Sequence, residues 1–473
     1  MVALKKGTEI ELVVENLSFG GKGLARVNNF VIFVERTIPG QRVLVRITRK
    51  KSSHAEARVL ALLEDAPQAI APRCIHFGTC GGCLWQNLPY EEQLKVKRDM
   101  VWECLAHIGG LAHDVVLPTL PSPQIYYYRN KMEYSFAARR WLSQEEIDRN
   151  QLQKPRNFAL GLHVKGFYDR VLDIQECHLQ SPLSVAILKR VRQFALASSL
   201  PPYNTFDHTG FWRFLVVRDS KHTGQILVEL ITAPDPNHAS PVDELASILL
   251  AEIPEITSLI HGVSGKKAQI ASADTQEVIF GPGYIEERLG NFQFRVSSEA
   301  FFQTNSQAGN ILLDQVRAGC ALTGREVVWD LYCGTGTMAI GVANSARNVV
   351  GFELIEDALA DARINAKLNG VDTCEFVLGD LKGLLDDLSY LIERHGSPDV
   401  VVTDPPRAGM HPSVIKQLAA LAPPRIVSVS CNPATLARDL KMLMEKYHLL
   451  RVQPVDMFPH TPHIETVAVL ERK

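Results

Sequence analysis

No stretch of this chain is apolar for long enough to span a bilayer. Its first residues, Met1-Val2-Ala3-Leu4-Lys5-Lys6-Gly7, lack the apolar core of a signal peptide. Membrane insertion and secretion are not expected; a cytoplasmic location is. Excess charge of one sign is missing too: the formal net charge is -2, so no global field points to nucleic acid. In a reducing compartment the nine cysteines should remain thiols or hold metal, and disulfides are not expected. What remains is an ordinary globular composition, 46% hydrophobic and 22% charged, in 473 residues, enough for about three domains.

Charge is nevertheless uneven. Residues 1–60 hold eleven Lys and Arg against five Glu, an excess of six, which is a modest footprint for phosphate or a solvated face. The same region alternates as strands do, at Ile10, Leu12 and Val14, at Phe30-Val31-Ile32-Phe33-Val34 and at Val43-Leu44-Val45-Arg46-Ile47. Gly20-Gly21-Lys22-Gly23 and Pro39-Gly40 supply turns, and the whole reads as a small β-barrel over residues 1–66. The run Gly20-Gly21-Lys22-Gly23-Leu24-Ala25-Arg26, with Phe30-Val31 and Ile38-Pro39-Gly40-Gln41-Arg42-Val43, resembles the TRAM domain, a resemblance that implies RNA binding.

Cys74, Cys80 and Cys83 fall within ten residues, separated by five and then two. Thiolates so spaced wrap one soft metal centre, and the glycines between them let the backbone turn tightly. A fourth ligand is needed. Of the remaining cysteines, Cys177 lies in a polar loop rather than an apolar periodic run, which selects it. An iron–sulfur cluster and a zinc ion both suit four cysteines. The spacing is not that of enzymes that cleave S-adenosylmethionine to a radical. Residues 67–295 otherwise read as a β-rich middle domain, with strands at Lys131–Ala137, 172–174, 212–217 and 225–231. A helical pattern runs from Tyr90 to about Leu120, with Gly109-Gly110 as a stop. Tyr128-Arg129-Asn130-Lys131 combines basic and aromatic groups as RNA-holding segments do, or is an ordinary edge strand.

From residue 296 to 473 strands and helices alternate, which implies a doubly wound α/β sheet. The first strand runs into Asp330-Leu331-Tyr332-Cys333-Gly334-Thr335-Gly336-Thr337, and the second ends at Glu353, placed to bond ribose hydroxyls. The loop is not Gly-x-Gly-x-x-Gly and offers no pyrophosphate cradle. S-adenosylmethionine fits it better than a redox dinucleotide, the main competitor. Asp380, ending the third strand, suits the adenine edge. The fourth strand ends in Asp404-Pro405-Pro406-Arg407, where methyltransferases acting on exocyclic amines carry an aromatic after the prolines; Arg407 argues for a ring carbon instead.

The fifth strand ends in Ser430-Cys431-Asn432-Pro433 as a helix begins. A thiol there lies under the positive end of the helix dipole, and a lowered pKa is expected, unless Cys431 is one more inert core cysteine. In a methyltransferase sheet the last strand runs antiparallel beside the fifth, so it begins at the edge where the fifth ends. Glu465, after the turn Pro459-His460-Thr461-Pro462-His463, should therefore meet Cys431. A thiolate that adds to carbon 6 of uracil makes carbon 5 nucleophilic, and a base must then take the carbon-5 proton.

Together, the cysteines, Phe301-Phe302-Gln303-Thr304-Asn305, Asp330-Leu331-Tyr332-Cys333-Gly334, Asp404-Pro405-Pro406-Arg407, Ser430-Cys431-Asn432-Pro433 and His463-Ile464-Glu465 resemble the RNA uracil-C5 methyltransferases. The closest branch carries a TRAM domain and a [4Fe-4S] cluster and methylates 23S ribosomal RNA. The resemblance implies a class I methyltransferase fold and a cluster on Cys74, Cys80, Cys83 and Cys177. It further implies S-adenosylmethionine contacts at Gln303, Tyr332, Thr337, Glu353, Asp380 and Asp404, with Cys431 as nucleophile and Glu465 as base. Thr337 stands where many relatives have asparagine. The helical segment at 92–122 is expected to pack on the catalytic domain. RNA is the expected partner, 23S ribosomal RNA first and transfer RNA second, with the protein a monomer. A non-catalytic RNA-binding protein is the reading of another class.

Overall fold

The computed structural model describes residues 4–111, 114–149, 152, 154–235 and 239–473. Alternating side chains build the first unit. Strands β1 (Glu9–Val13), β2 (Asn16–Leu17), β3 (Gly23–Val27), β4 (Phe30–Val34), β5 (Arg42–Lys50) and β6 (His54–Glu64) form one sheet in the order β1-β5-β6-β4-β3-β2. Glu15, beyond β1, donates its N–H to Leu24 on β3 and draws the sheet's two ends together. Leu12, Val14, Ile32, Val34, Val45 and Ile47 fill the interior. The basic excess on this unit is largely answered in place. Glu9 pairs with Arg46, Glu11 with Arg42, Glu15 with Arg26, and both Glu35 and Glu56 with Lys22. Arg49, Lys50 and Lys51, at the β5–β6 turn, have no carboxylate partner among the described residues.

Helix α1 (Tyr90–Cys104) continues as one π-helical turn, Leu105–Gly109, and stops at Gly110, whose φ of 68° is left-handed. The helix expected to about Leu120 is therefore shorter. Beyond it the chain turns extended, and Val116 and Leu120 bridge to Val452 and Val455 of the catalytic sheet. Val101, Cys104 and Leu105 pack into the catalytic core beside Leu436, Ala437 and Leu440.

The middle unit has a seven-stranded sheet, β13-β12-β11-β10-β7-β8-β9. Its strands are β7 (Lys131–Ala137), β8 (Ala159–His163), β9 (Val171–Asp173), β10 (Trp212–Asp219), β11 (Ile226–Thr232), β12 (Ile256–Val263) and β13 (Thr275–Phe280). The short helix α2 (Gln144–Arg149) lies between β7 and β8; α3 (Pro182–Ala197) and α4 (Ala239–Glu252) cover one face. A hairpin, β14 (Tyr284–Leu289) and β15 (Phe292–Ser297), leads to the last unit and packs Ile285, Leu289 and Phe294 into its core.

That last unit is wound on both faces. Its strands, β16 (Val327–Leu331), β17 (Asn348–Glu353), β18 (Cys374–Leu378), β19 (Val400–Thr403), β20 (Arg425–Ser430), β21 (Tyr447–Val455) and β22 (Glu465–Arg472), lie in the order β18-β17-β16-β19-β20-β22-β21. The first five are parallel, and their apolar, β-branched runs suit burial on both faces. Helices α5 (Ser306–Cys320), α6 (Thr337–Ala343) and α7 (Glu356–Leu368) cover one face. On the other lie α8 (Leu381–Leu384), α9 (Leu388–His395), α10 (Pro412–Leu421) and α11 (Pro433–Leu443), with α1 added. Strand β22 runs antiparallel between β20 and β21, as expected. No helix among the described residues is long and apolar enough to cross a membrane.

One charge in this packing has no exposure at all. Lys97 of α1 reaches Asp456 at 2.5 Å and the Phe458 carbonyl at 3.0 Å, both carriers of the pair fully buried. Truncating one partner strands the other charge without solvent. Lys97→Ala should lower unfolding stability by about 3–5 kcal/mol, and Lys97→Met with Asp456→Leu should recover most of it. Urea midpoints of the three proteins test this.

Candidate active site

The carboxyl edge of β16 opens into a loop that only permissive backbone can follow. Tyr332 has φ 70°, Gly334 54° and Gly336 83°. A Cβ on Gly334 would meet nothing within 4 Å, so the loop faces open space there, as a ligand cradle does. Glu353, at the end of β17, accepts from the Gly334 N–H at 2.9 Å and from the N–H groups of Leu354 and Ile355 at 2.8 and 2.9 Å. Those bonds fix the carboxylate beside the loop. Asp380 ends the next strand and caps α8 through the Lys382 N–H at 3.0 Å. Thr335, bonded to the Phe301 carbonyl at 3.4 Å and to Thr337 at 3.5 Å, ties Phe301-Phe302-Gln303 to the same edge. Asn130 holds the Gln303 carbonyl at 2.8 Å from the middle unit. Phe301, Leu354, Ile355 and Leu378 stay exposed around this cleft. Apolar groups beside two carboxylates fit an adenosine-bearing cofactor.

Asp404 follows β19 into the same edge. Burial lifts its carboxyl to about 6. Cys431 and Glu465 meet here as well. Ser430 of β20 pairs with Thr466 of β22, and one step further the register sets Cys431 against Glu465. Burial first, then Asp404, raises the Glu465 carboxyl well above the ordinary range, and Arg407 opposes the rise.

The expected depressed thiol is not what the structure gives. Burial, and next the Glu465 charge, push the Cys431 thiol up to about 11, while Arg407 pulls it down. The first donors of the helix are already taken. Asn432 caps α11, accepting from Ala434 at 3.1 Å and Thr435 at 3.4 Å. The cation that serves the thiol is Arg407. Its carbonyl accepts from Asn432 at 3.0 Å, and its guanidinium reaches His463 at 3.4 Å. Reading Arg407 only as a missing aromatic overlooked this. A cation directly after Asp-Pro-Pro, on the edge shared with a cysteine, was the available signal.

The basic, aromatic stretch at 128–131 does not present a stacking surface. Tyr128 is 1% exposed, and its hydroxyl donates to the Pro459 carbonyl at 3.1 Å; Asn130 is buried and Lys131 pairs with Glu133. The start of β7, an interior strand, and the turn at Pro459 hold these groups.

Cys74, Cys80, Cys83 and Cys177 surround one small cavity together with His76 and Gln86. Each is near enough to raise the charge cost of another, although burial is the larger cause; Cys80 stands at about 11 and Cys83 at about 12. Among the described residues no three or more His, Cys, Asp or Glu side chains close about a single ion position. The sulfurs ring a space rather than a point.

The paired acids give a stability test. Both carboxyls sit above their ordinary values, so the fold favours their neutral forms. The stability of the neutral pair is complete at low pH and is lost as pH rises through the folded values. Glu465→Gln, neutral throughout, should unfold at a higher temperature than the parent at about pH 8 and near the parent's temperature at about pH 4. Thermal unfolding at the two pH values measures it.

Comparison with known proteins matches this geometry. Residues 3–60 match the TRAM domain, and residues 264–473 match tRNA (Uracil-5-)-methyltransferase. A protein of Nitratidesulfovibrio vulgaris named as an RNA methyltransferase is 41% identical over 473 residues, covering 100% of this chain and 98% of its own. One from Bacteroides thetaiotaomicron is 40% identical over 452 residues, covering 95% and 99%. The crystal structure of Pyrococcus abyssi tRNA (uracil-54, C5)-methyltransferase with S-adenosyl-L-homocysteine superposes with a TM-score of 0.73 at 27% identity, covering 98% of this chain and 100% of that one. With a cofactor edge, a thiol and a carboxylate on one sheet rim behind an N-terminal TRAM barrel, this chain belongs to the uracil-5 RNA methyltransferase family, whose methyl donor is S-adenosylmethionine.

Proposed function

We propose that the protein methylates carbon 5 of a uridine in 23S ribosomal RNA through a covalent bond between Cys431 and carbon 6 of the base. The observation that carries the chemistry is the register of β20 on β22, which sets Cys431 against Glu465. A base inside folded RNA must leave its stack to reach them. Arg407 stabilises the Cys431 thiolate as the thiol ionises, against the pull of burial and Glu465. The sulfur adds to carbon 6, and the ring's electrons collect on carbon 5 and the neighbouring carbonyl oxygen. The bound cofactor supplies an electrophilic methyl group to carbon 5. Glu465 then takes the carbon-5 proton; its raised pKa makes the carboxylate a stronger base than an exposed one. The electron pair returns to the ring, and the carbon–sulfur bond breaks.

Gln303, Tyr332, Thr337, Glu353, Asp380 and Asp404 are the proposed cofactor contacts. They lie on the loops at the carboxyl edge of β16–β19 or on the segment Thr335 ties to it.

For the cysteine cavity, the reading is a [4Fe-4S] cluster on Cys74, Cys80, Cys83 and Cys177. Four thiols lining one cavity support it, a donor set that suits a polynuclear centre as well as zinc. The cluster would supply thiolate-bound iron at this junction; no step of the methyl transfer needs it.

Transfer RNA is the second reading, favoured by the likeness to the Pyrococcus abyssi enzyme along nearly the whole chain. Mapping 5-methyluridine in RNA from cells with and without the gene separates the two: loss from 23S ribosomal RNA is expected, and loss confined to transfer RNA overturns the choice. With RNA and cofactor, Cys431→Ala should form no RNA adduct and give no product, whereas Glu465→Gln should accumulate an adduct that survives denaturation. An adduct on the Ala variant would rule out Cys431. Protein purified without air should contain iron and sulfide; one zinc per chain would reject the cluster.

A further inference from the structure

We propose that His460 is a positioning residue for the general base, clamped from the Cys74–Cys83 loop so that Glu465 stands where it can take the carbon-5 proton. The inference rests on the reading of Glu465 as base.

His460 lies five residues before Glu465, in the turn that delivers β22 to the sheet rim. It is 2% exposed and has a left-handed φ of 66°. A non-glycine residue in that conformation is held there by its surroundings. The hold comes from three sides. From the cysteine loop, the N–H groups of Leu84 and Trp85, which follow Cys83, donate to the His460 carbonyl at 2.9 and 3.1 Å. From α1, the Gln93 side chain accepts from the His460 N–H at 2.8 Å and meets its ring Nδ1 at 3.2 Å. From the segment before β7, the Tyr126 ring stacks on the imidazole with centroids 4.5 Å apart. Arg73, next to Cys74, covers Tyr126 in turn, its guanidinium 5.0 Å from the ring centre. The stack Arg73–Tyr126–His460 and the Leu84–Trp85 bonds thus start on either side of the Cys74–Cys83 loop and end on the same residue. Tyr128 fixes the carbonyl just before it.

None of these groups touches Cys431. The clamp acts on the chain entering Glu465, and its loss should slow proton removal more than thiol addition or cofactor binding. A misplacement of about 1 Å at a reacting group costs on the order of a hundredfold in rate.

The test uses the full-length holoprotein with RNA and labelled S-adenosylmethionine. His460→Asn tolerates positive φ but loses the ring; Tyr126→Leu removes the stack without altering the turn and serves if the first variant folds poorly. For either, turnover should fall about a hundredfold while cofactor binding and the KM for RNA stay near the parent's, and a denaturation-resistant methylated adduct should build up. The parental protein should not accumulate it to the extent that Glu465→Gln does. Slow turnover without adduct, or turnover at the parental rate, overturns the clamp. Absence of adduct on Glu465→Gln itself removes the base assignment, and the clamp with it.

Discussion

The antiparallel pairing of β20 with β22 is the constraint on which the site depends. A purely parallel sheet would have started its last strand at the far rim, and a carboxylate there could never face a thiol at the end of β20. Reversal of that one strand sets Cys431 against Glu465 across 34 residues of sequence. The β19 terminus brings Asp404 and Arg407 to the same rim, and the β16 and β17 termini form the cofactor cleft beside it. A doubly wound sheet collects loop residues along its carboxyl edge, and here the edge serves both halves of a methyl transfer.

Electrostatics at this rim works by opposition rather than by accumulation. Asp404 and Glu465 crowd each other in a place of low solvent access, and burial alone would leave Cys431 inert. Arg407 is the counterweight for Cys431 and Glu465. A similar logic holds below the rim, where Lys97 and Asp456 face each other with no exposure. Such a pair adds little net stability over an apolar substitute, but it admits only one seating of α1 on the chain before β22.

Much of this could be read from the residues. The strands of the catalytic unit alternate with helices at lengths that leave little choice, and Cys431, Glu465 and Asp404 declare themselves by where those strands end. Lys131–Ala137 was equally plain, alternating Met132, Tyr134 and Phe136 with polar residues. Strand β8, with Gly161 inside it, gave little β signal, and Gly161 is there because a Cβ would meet the Leu172 carbonyl at 2.1 Å. The thiol's actual state was hidden because the competition between a capping asparagine, a nearby arginine and two acids is settled in three dimensions. Gln93 and Lys97 did leave a trace: both sit on the buried face of α1 among Val96, Met100 and Val101, where polar groups require partners. That trace says a partner exists without saying it is 359 or 367 residues away.

The position of β22 has a consequence for how the protein is made. The strand in the interior of the catalytic sheet is made after both of its neighbours, β20 and β21, and α1, whose apolar side belongs against α11, emerges about 330 residues before its partner. At roughly 5–20 residues per second that helix waits some tens of seconds with its partner unbuilt. Until the eight residues of β22 arrive, β20 and β21 present unpaired edges toward each other and Cys431 has no Glu465 beside it. A chain broken off before β22 is therefore left with an open sheet and without Glu465 at its rim, so such copies are exposed to proteolysis.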